Sequence, residues 1–134
     1  MGGKTGLYDV GIPIKENTKK GYKLAYEGDS VDLGYATSNT RRGRVGRQVA
    51  HTLTTGSTQG VVEKGRRIRR LTPRECLRLQ GYHEEQIDRI LAINSDTQVY
   101  RQAGNGVTIP VVEDIGRRIR DVHELLSAKE DAWT

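Results

Sequence analysis

The sequence predicts an α+β fold, in which a small, mostly β segment reaches to about residue 70 and a helical segment follows. Three observations carry this expectation. The 134 residues leave room for one modest domain and little more. Up to Arg70, short apolar runs alternate with glycine-bounded polar turns, the pattern of short strands. Beyond Arg70, helix-start and helix-stop residues punctuate apolar positions at helical spacing. The chain accordingly divides into a lead (1–11), a β segment (12–70), a helical segment (71–129) and a tail (130–134).

Taken in order, residues 1–39 are polar and turn-rich, with no sustained period. Gly28-Asp29-Ser30 reads as a turn feeding a short strand around Val31–Leu33. Residues 48–54 and 60–63 read as two further strands around the polar loop Gly56-Ser57-Thr58-Gln59-Gly60. Leu71-Thr72-Pro73-Arg74-Glu75 is a helix start: Thr72 caps, Pro73 fits the first helical position, and Glu75 closes a capping box. That helix runs through Leu77 and Leu79 and stops at Gly81, where a left-handed residue is readily accommodated. A second helix is expected around residues 84–93, and Ser95 with Gln98 starts a third that ends at Gly104. Gly104-Asn105-Gly106 is then expected to form a tight turn with positive φ.

Pro110 opens the last helix, whose Val111, Val112, Ile115, Ile119, Val122 and Leu126 form one apolar stripe. Two readings of the stripe stay open. It packs on the two capped helices, or it lies against a surface that this chain does not contain.

Composition excludes several classes. Leu, Ile and Val make up about a fifth of the chain and Phe is absent, which allows a thin core and no deep pocket. No apolar run approaches the ~20 residues of a membrane span, so no membrane partner is expected. One cysteine, Cys76, rules out an internal disulfide and points to a reducing, cytoplasmic setting. The three histidines, His51, His83 and His123, show no metal-ligand spacing, and no metal is expected. Cys76 stands where a hydrophobic staple would meet Leu71, so packing is its expected role and not nucleophilic attack.

The net charge of +5 permits a nucleic-acid partner. Residues 40–78 hold 11 Lys and Arg against two acids, while the rest of the chain is net acidic. Within that segment, Arg41-Arg42-Gly43-Arg44-Val45-Gly46-Arg47 combines guanidinium forks with a backbone able to approach phosphates closely. A second run, Arg66-Arg67-Ile68-Arg69-Arg70, follows. A solvated charged loop is the bland alternative.

The stretch Ile68-Arg69-Arg70-Leu71-Thr72-Pro73-Arg74-Glu75-Cys76-Leu77-Arg78-Leu79-Gln80-Gly81-Tyr82 closely resembles the ninth conserved motif of DNA cytosine-5 methyltransferases. About twenty residues later, Gln102-Ala103-Gly104-Asn105-Gly106-Val107-Thr108-Ile109-Pro110-Val111-Val112 resembles their tenth and last motif. Ala50-His51-Thr52-Leu53-Thr54, followed by a glycine-bounded loop, resembles the end of that family's target recognition domain. Residues 12–49 are similar to the recognition region of phage-type members, so the likeness covers about residues 12–126.

This resemblance implies roles. Thr52 and Leu53 match the family's Thr-Leu pair, and residues 54–60 match a loop that contacts DNA in the major groove. Thr52, Thr54, Thr55, Ser57, Thr58 and Gln59 thereby join Arg41, Arg42, Arg44 and Arg47 as candidate DNA contacts. Arg69, Arg70, Thr72, Arg74 and Glu75 of the ninth motif would be scaffold. Asn105, Gly106 and Val107 match the segment that completes the S-adenosylmethionine pocket, with Gly106 where the family usually has Ser. The helix after Pro110 would pack back onto the family's Rossmann-like catalytic domain.

Members of the family attack C6 of a flipped-out cytosine with a Cys that follows a Pro, helped by the Glu of a Glu-Asn-Val motif. Here the three prolines precede Ile14, Arg74 and Val111. Glu16-Asn17-Thr18 matches two of the three letters, but no strand is expected to lead into it. The glycine-rich first motif has no counterpart in these residues, and no catalytic residue is assigned. The expectation is therefore a C-terminal fragment or separately encoded subunit of a DNA cytosine-5 methyltransferase, not catalytic alone. It would contribute target recognition and one wall of the cofactor pocket, with S-adenosylmethionine bound only when a catalytic domain completes the site. Expected partners are double-stranded DNA and a catalytic methyltransferase chain, or a second copy through the Val111–Leu126 face. An inactive prophage remnant and a stand-alone DNA-binding module are the alternatives.

Overall fold

The computed structural model describes residues 10–131 apart from Ser57. Six strands precede four helices, the α+β order expected. Strands β1 (Ile12–Lys15) and β2 (Tyr22–Ala25) form an antiparallel hairpin with Ile12 opposite Ala25 and Lys15 opposite Tyr22. Ile14 and Ala25 point inward while Pro13 stays exposed, so the proline costs the sheet no interior position. Strands β3 (Ser30–Asp32), β4 (Val45–Gly46), β5 (Gln59–Glu63) and β6 (Arg67–Arg70) make a second, antiparallel sheet in the order β4-β3-β5-β6. Ile14, Ala25, Val31, Val45 and Val62 form a buried cluster that joins hairpin to sheet.

The helices are α1 (Pro73–Leu79), α2 (Glu84–Ile93), α3 (Asp96–Asn105) and α4 (Ile109–Asp131). Their starts follow the capping chemistry. Thr72 accepts the Glu75 amide while the Glu75 carboxylate accepts the Thr72 amide, a complete capping box. Gly81 ends α1 at φ +87, with Tyr82 N–H bonded to Leu77 O and Gly81 N–H to Arg78 O, a Schellman closure. A Cβ on Gly81 would also lie 2.6 Å from Pro110 Cδ, so this glycine seats the start of α4 as well. Cys76, Leu77, Ile87, Val99 and Ala103 form a second buried cluster, with Leu71 and Leu53 packed against it. Cys76 is thus a packing residue, and burial pushes its thiol up to about 11.

Two expectations fail. Residues 48–54 form no strand: Gln48 takes φ +51, which breaks the extended run. Side chains satisfy that segment instead of a ladder. Gln59 accepts from His51 N–H and donates to Thr52 O, and Ser30 donates to Val49 O. The Gly104–Gly106 turn is not left-handed either. Helix α3 runs through Gly104 and Asn105, and Gly106 is extended at φ −75, ψ 154. Strands β1, β2 and β6 lie within the expected β segment, at positions where no individual strand was expected.

Helix α4 extends for 23 residues with Val111, Val112, Ile115, Ile119, Val122, Leu125 and Leu126 all exposed. Of the two readings of its stripe, packing onto the capped helices does not occur. No described helix is long and apolar enough to cross a membrane.

Candidate nucleic-acid interface

The basic segment before β4 is built on three acids. Glu16 is buried at the end of β1, and its carboxylate accepts the amides of Val45 (3.0 Å) and Gly43 (3.3 Å). A strand does lead into Glu16, contrary to expectation, yet its two oxygens are committed to this loop. Asp29 is buried and accepts the amides of Tyr26 and Gln48 while pairing with Arg47 at 3.4 Å. Asp32 accepts the Gly34 amide at 2.8 Å and pairs with Arg41 at 2.6 Å. Arg41 and Arg47 each stack over a tyrosine, Tyr35 and Tyr26 respectively.

The four arginines named from sequence therefore differ in kind. Arg44 is only 4 % exposed and donates to the carbonyls of Asp32, Lys15 and Ala36. It ties the loop together and presents no guanidinium to a ligand. Arg41 and Arg47 are exposed but paired, and Arg42 is exposed with no ion pair among the described residues. His51 fastens the far side of the segment, its Nε2 donating to Gly43 O at 2.7 Å and its Nδ1 lying 3.0 Å from Ser30 Oγ.

Residues 52–58 form an irregular loop, of which Ser57 lies outside the described residues. Thr52, Thr54 and Thr55 are exposed, and Thr54 and Thr58 share a hydroxyl hydrogen bond of 3.0 Å. Gln59 departs from the expected contact role: it is 3 % exposed and serves the backbone of residues 51–52. One side of the loop rests on α3. A Cβ on Gly104 would lie 2.5 Å from both the Thr54 carbonyl carbon and Thr55 N. This contact explains why a glycine stands in the last turn of α3.

The ninth-motif residues hold the two halves together. Arg69 on β6 donates to both oxygens of Glu75 on α1 at 2.8 Å and to Glu63 on β5 at 2.6 Å. The Arg69 fork holds the Glu75 carboxyl down at about 2, with help from Thr72. Arg74 pairs with Glu84 and Asp88 on α2, and Arg78 also pairs with Glu84. The neighbouring carboxylates raise both arginines, and Arg78 leads in lowering Glu84. Arg70 is exposed and makes no ion pair among the described residues.

Asn105, the last residue of α3, and Gly106 and Val107, which follow it, are exposed. Gln80 fixes their base by donating to Ala103 O at 2.5 Å and accepting from Thr108 Oγ1 at 2.9 Å. An open cleft of about 330 Å³ is lined by Thr52 and Leu53 on one side and by Gly104, Gly106 and Thr108 on the other. Thr52, a candidate DNA contact, and Gly106, from the segment matched to the cofactor, thus line one cleft. Composition did not point to Glu16, Asp29, Asp32, Tyr35 or the Gly104 contact. Glu16 and Asp29 were hidden in the charge count because part of the backbone they brace lies 19 to 29 residues along the chain.

A family profile described as C-5 cytosine-specific DNA methylase matches residues 7–121. The orphan methyltransferase M.SPRI of Bacillus phage SPR is 33% identical over 104 residues, covering 75% of this chain and 23% of that protein. The type II methyltransferase M1.ScrFI of Lactococcus lactis subsp. cremoris is 33% identical over 109 residues, covering 81% of this chain and 25% of its own length. The orphan methyltransferase M.Rho11sI of Bacillus phage rho11s is 46% identical over 54 residues, 40% of this chain and 11% of that protein. The chain thus spans a quarter or less of these relatives. No solved structure matches it. With a family match over most of its length and a fold that joins the matched segments, the chain belongs to the C-5 cytosine-specific DNA methylases.

Proposed function

We propose that this chain is the C-terminal, target-recognition part of a phage-type DNA cytosine-5 methyltransferase and works with a Rossmann-like catalytic domain. That domain is carried either on a longer form of the same polypeptide or on a separate one. The observation that carries the reading is the cleft that Thr52 and Leu53 line together with Gly104 and Gly106, with Gly104 also packed on the Thr54–Thr55 peptide. Duplex DNA contacts Arg41, Arg42, Arg47, Thr52, Thr54, Thr55, Ser57 and Thr58, while Arg44 and Gln59 shape the loops from inside. Arg69, Arg70, Thr72, Arg74 and Glu75 are scaffold.

S-adenosylmethionine supplies the methyl group when it is bound. Asn105, Gly106 and Val107 fit one wall of its site, being exposed, close to the recognition loop and anchored beneath by Gln80. One wall suffices only when a second surface faces it. The exposed stripe of α4 supports such a partner, since 23 helical residues offer apolar surface that nothing among the described residues covers.

The test is assembly. This chain is mixed with a catalytic methyltransferase chain lacking the region it matches, and the mass of the product is measured by sedimentation. A 1:1 complex that binds duplex DNA more tightly than either part is expected. Two non-interacting species, or self-association of this chain that excludes the catalytic one, would contradict the reading.

A further inference from the structure

We propose that Arg41 reads a guanine base and does not serve as a phosphate contact, which makes the β3–β4 loop a second reading element beside residues 52–58. The proposal rests on the DNA-recognition reading above and adds the chemistry of one contact.

The loop is closed by a single carboxylate. Asp32 Oδ1 accepts the Gly34 amide at its start, and Asp32 Oδ2 takes Arg41 Nη1 at its end, 2.6 Å away. Between them Tyr35 stands 76 % exposed at φ +51, an uncommon conformation for a bulky residue. It is held there by Ser38 N–H on Tyr35 O and by Arg44 on the next carbonyl, that of Ala36. The Arg41 guanidinium carbon lies 4.8 Å from the centre of the Tyr35 ring. Carboxylate and ring together fix the position of the guanidinium plane.

A guanidinium held this way is poorly suited to phosphate. Its charge is largely cancelled by the adjacent Asp32, so docking it on DNA displaces little of the condensed counterion layer. What it keeps is a rigid planar fork, of which only Nη1 is committed among the described residues. Parallel N–H groups in one plane match O6 and N7 of guanine in the major groove, and an ammonium cannot copy that geometry. Arg42, next in the chain, is the contrast: exposed and without an acid partner among the described residues, it is suited to phosphate.

The placement is right for reading. Leu33 N–H donates to Thr58 O at 2.7 Å, and a Cβ on Gly34 would lie 3.3 Å from Thr58 Cγ2. The β3–β4 loop therefore abuts the loop carrying Thr54 and Thr58, and the two form one continuous face.

The experiment selects bound duplexes from a random-sequence library with the wild-type chain and with R41A, R41K and R42A. Each variant is also titrated against salt on the wild-type's selected duplex, and its thermal melt is recorded. For R42A, the log–log salt slope should fall by about 0.9 with the selected sequence unchanged. R41A and R41K should keep the wild-type slope and lose preference for one guanine by about 5- to 150-fold. R41K retains the charge and the Asp32 pair, so it carries the test if R41A melts early. An R41A slope that falls like that of R42A, with sequence preference intact, overturns the proposal and leaves DNA recognition standing. A folded wild-type chain that selects no sequence and shows no salt dependence also overturns the proposal, and the assembly with a catalytic chain then decides the DNA-recognition reading separately.

Discussion

Gly104 presses its bare Cα against the peptide joining Thr54 and Thr55, so closely that a methyl there would lie 2.5 Å from two of its backbone atoms. Helix propensity alone favours alanine over glycine in α3 by about 1 kcal/mol. The contact reverses that sign, because backbone and not a flexible side-chain tip would have to move. G104A should therefore destabilise the chain by about 1–3 kcal/mol, as overpacking does, and shift the amide resonances of Thr54 and Thr55. A higher melting temperature would show that the loop does not rest on the helix.

The Arg69–Glu75 fork predicts a pH dependence. Glu75 in the folded chain titrates at about 2, below the ordinary 4.5 of the unfolded one. The unfolded chain consequently binds the proton first. The contribution is complete above the ordinary carboxyl range and disappears as the pH falls towards 2. Urea midpoints at neutral pH and at about pH 3 should differ more for the wild type than for E75Q. E75Q should already be less stable at neutral pH, by about 1.5–3 kcal/mol for the charged hydrogen bonds lost. Equal acid sensitivity in the two proteins would place the titrating group elsewhere.

Ile115 and Ile119 are 52% and 66% exposed on α4. The double variant I115S/I119S should leave the unfolding free energy of the isolated chain within about 0.5 kcal/mol of wild type, since both side chains are exposed and belong to neither buried cluster. The same variant should fail to assemble with a catalytic domain. A loss of several kcal/mol in the isolated chain would mean that α4 packs internally in solution.

Gly106 occupies ordinary extended backbone, and a Cβ there would meet Gln102 O at 3.2 Å. The fold therefore does not demand glycine at this position, and a small shift of the carbonyl accommodates serine. G106S should keep the melting temperature within about 0.5 kcal/mol equivalent and tighten S-adenosylmethionine binding in the assembled enzyme, read by calorimetry. Unchanged binding would remove residue 106 from the cofactor wall.

Legibility in the sequence followed how local each interaction is. The Thr72–Glu75 capping box and the Gly81 stop lie within a few residues, and the structure has both. The strands expected around Val31–Leu33 and at 60–63 are present as β3 and β5, but β4 has only two residues and β6 carries one apolar side chain among three arginines, so neither showed a period. The matched segments pointed to the 52–58 loop and to residues 105–107 as neighbours of a site. Which side chains face outward was not legible. Arg44 is spent on carbonyls 12 and 29 residues away, and Gln59 on a segment expected to be a strand. The left-handed turn expected at Gly104–Gly106 assumed that glycine marks positive φ, whereas Gly104 is there to admit another backbone.

The most direct measurement is transfer of labelled methyl groups from S-adenosylmethionine to duplex DNA by this chain, by a catalytic methyltransferase chain lacking the matched region, and by the two together. Incorporation from the mixture alone, lost again with I115S/I119S, is the predicted result. A stable complex of the two that transfers no label, or full transfer by the catalytic chain without this one, would contradict the account.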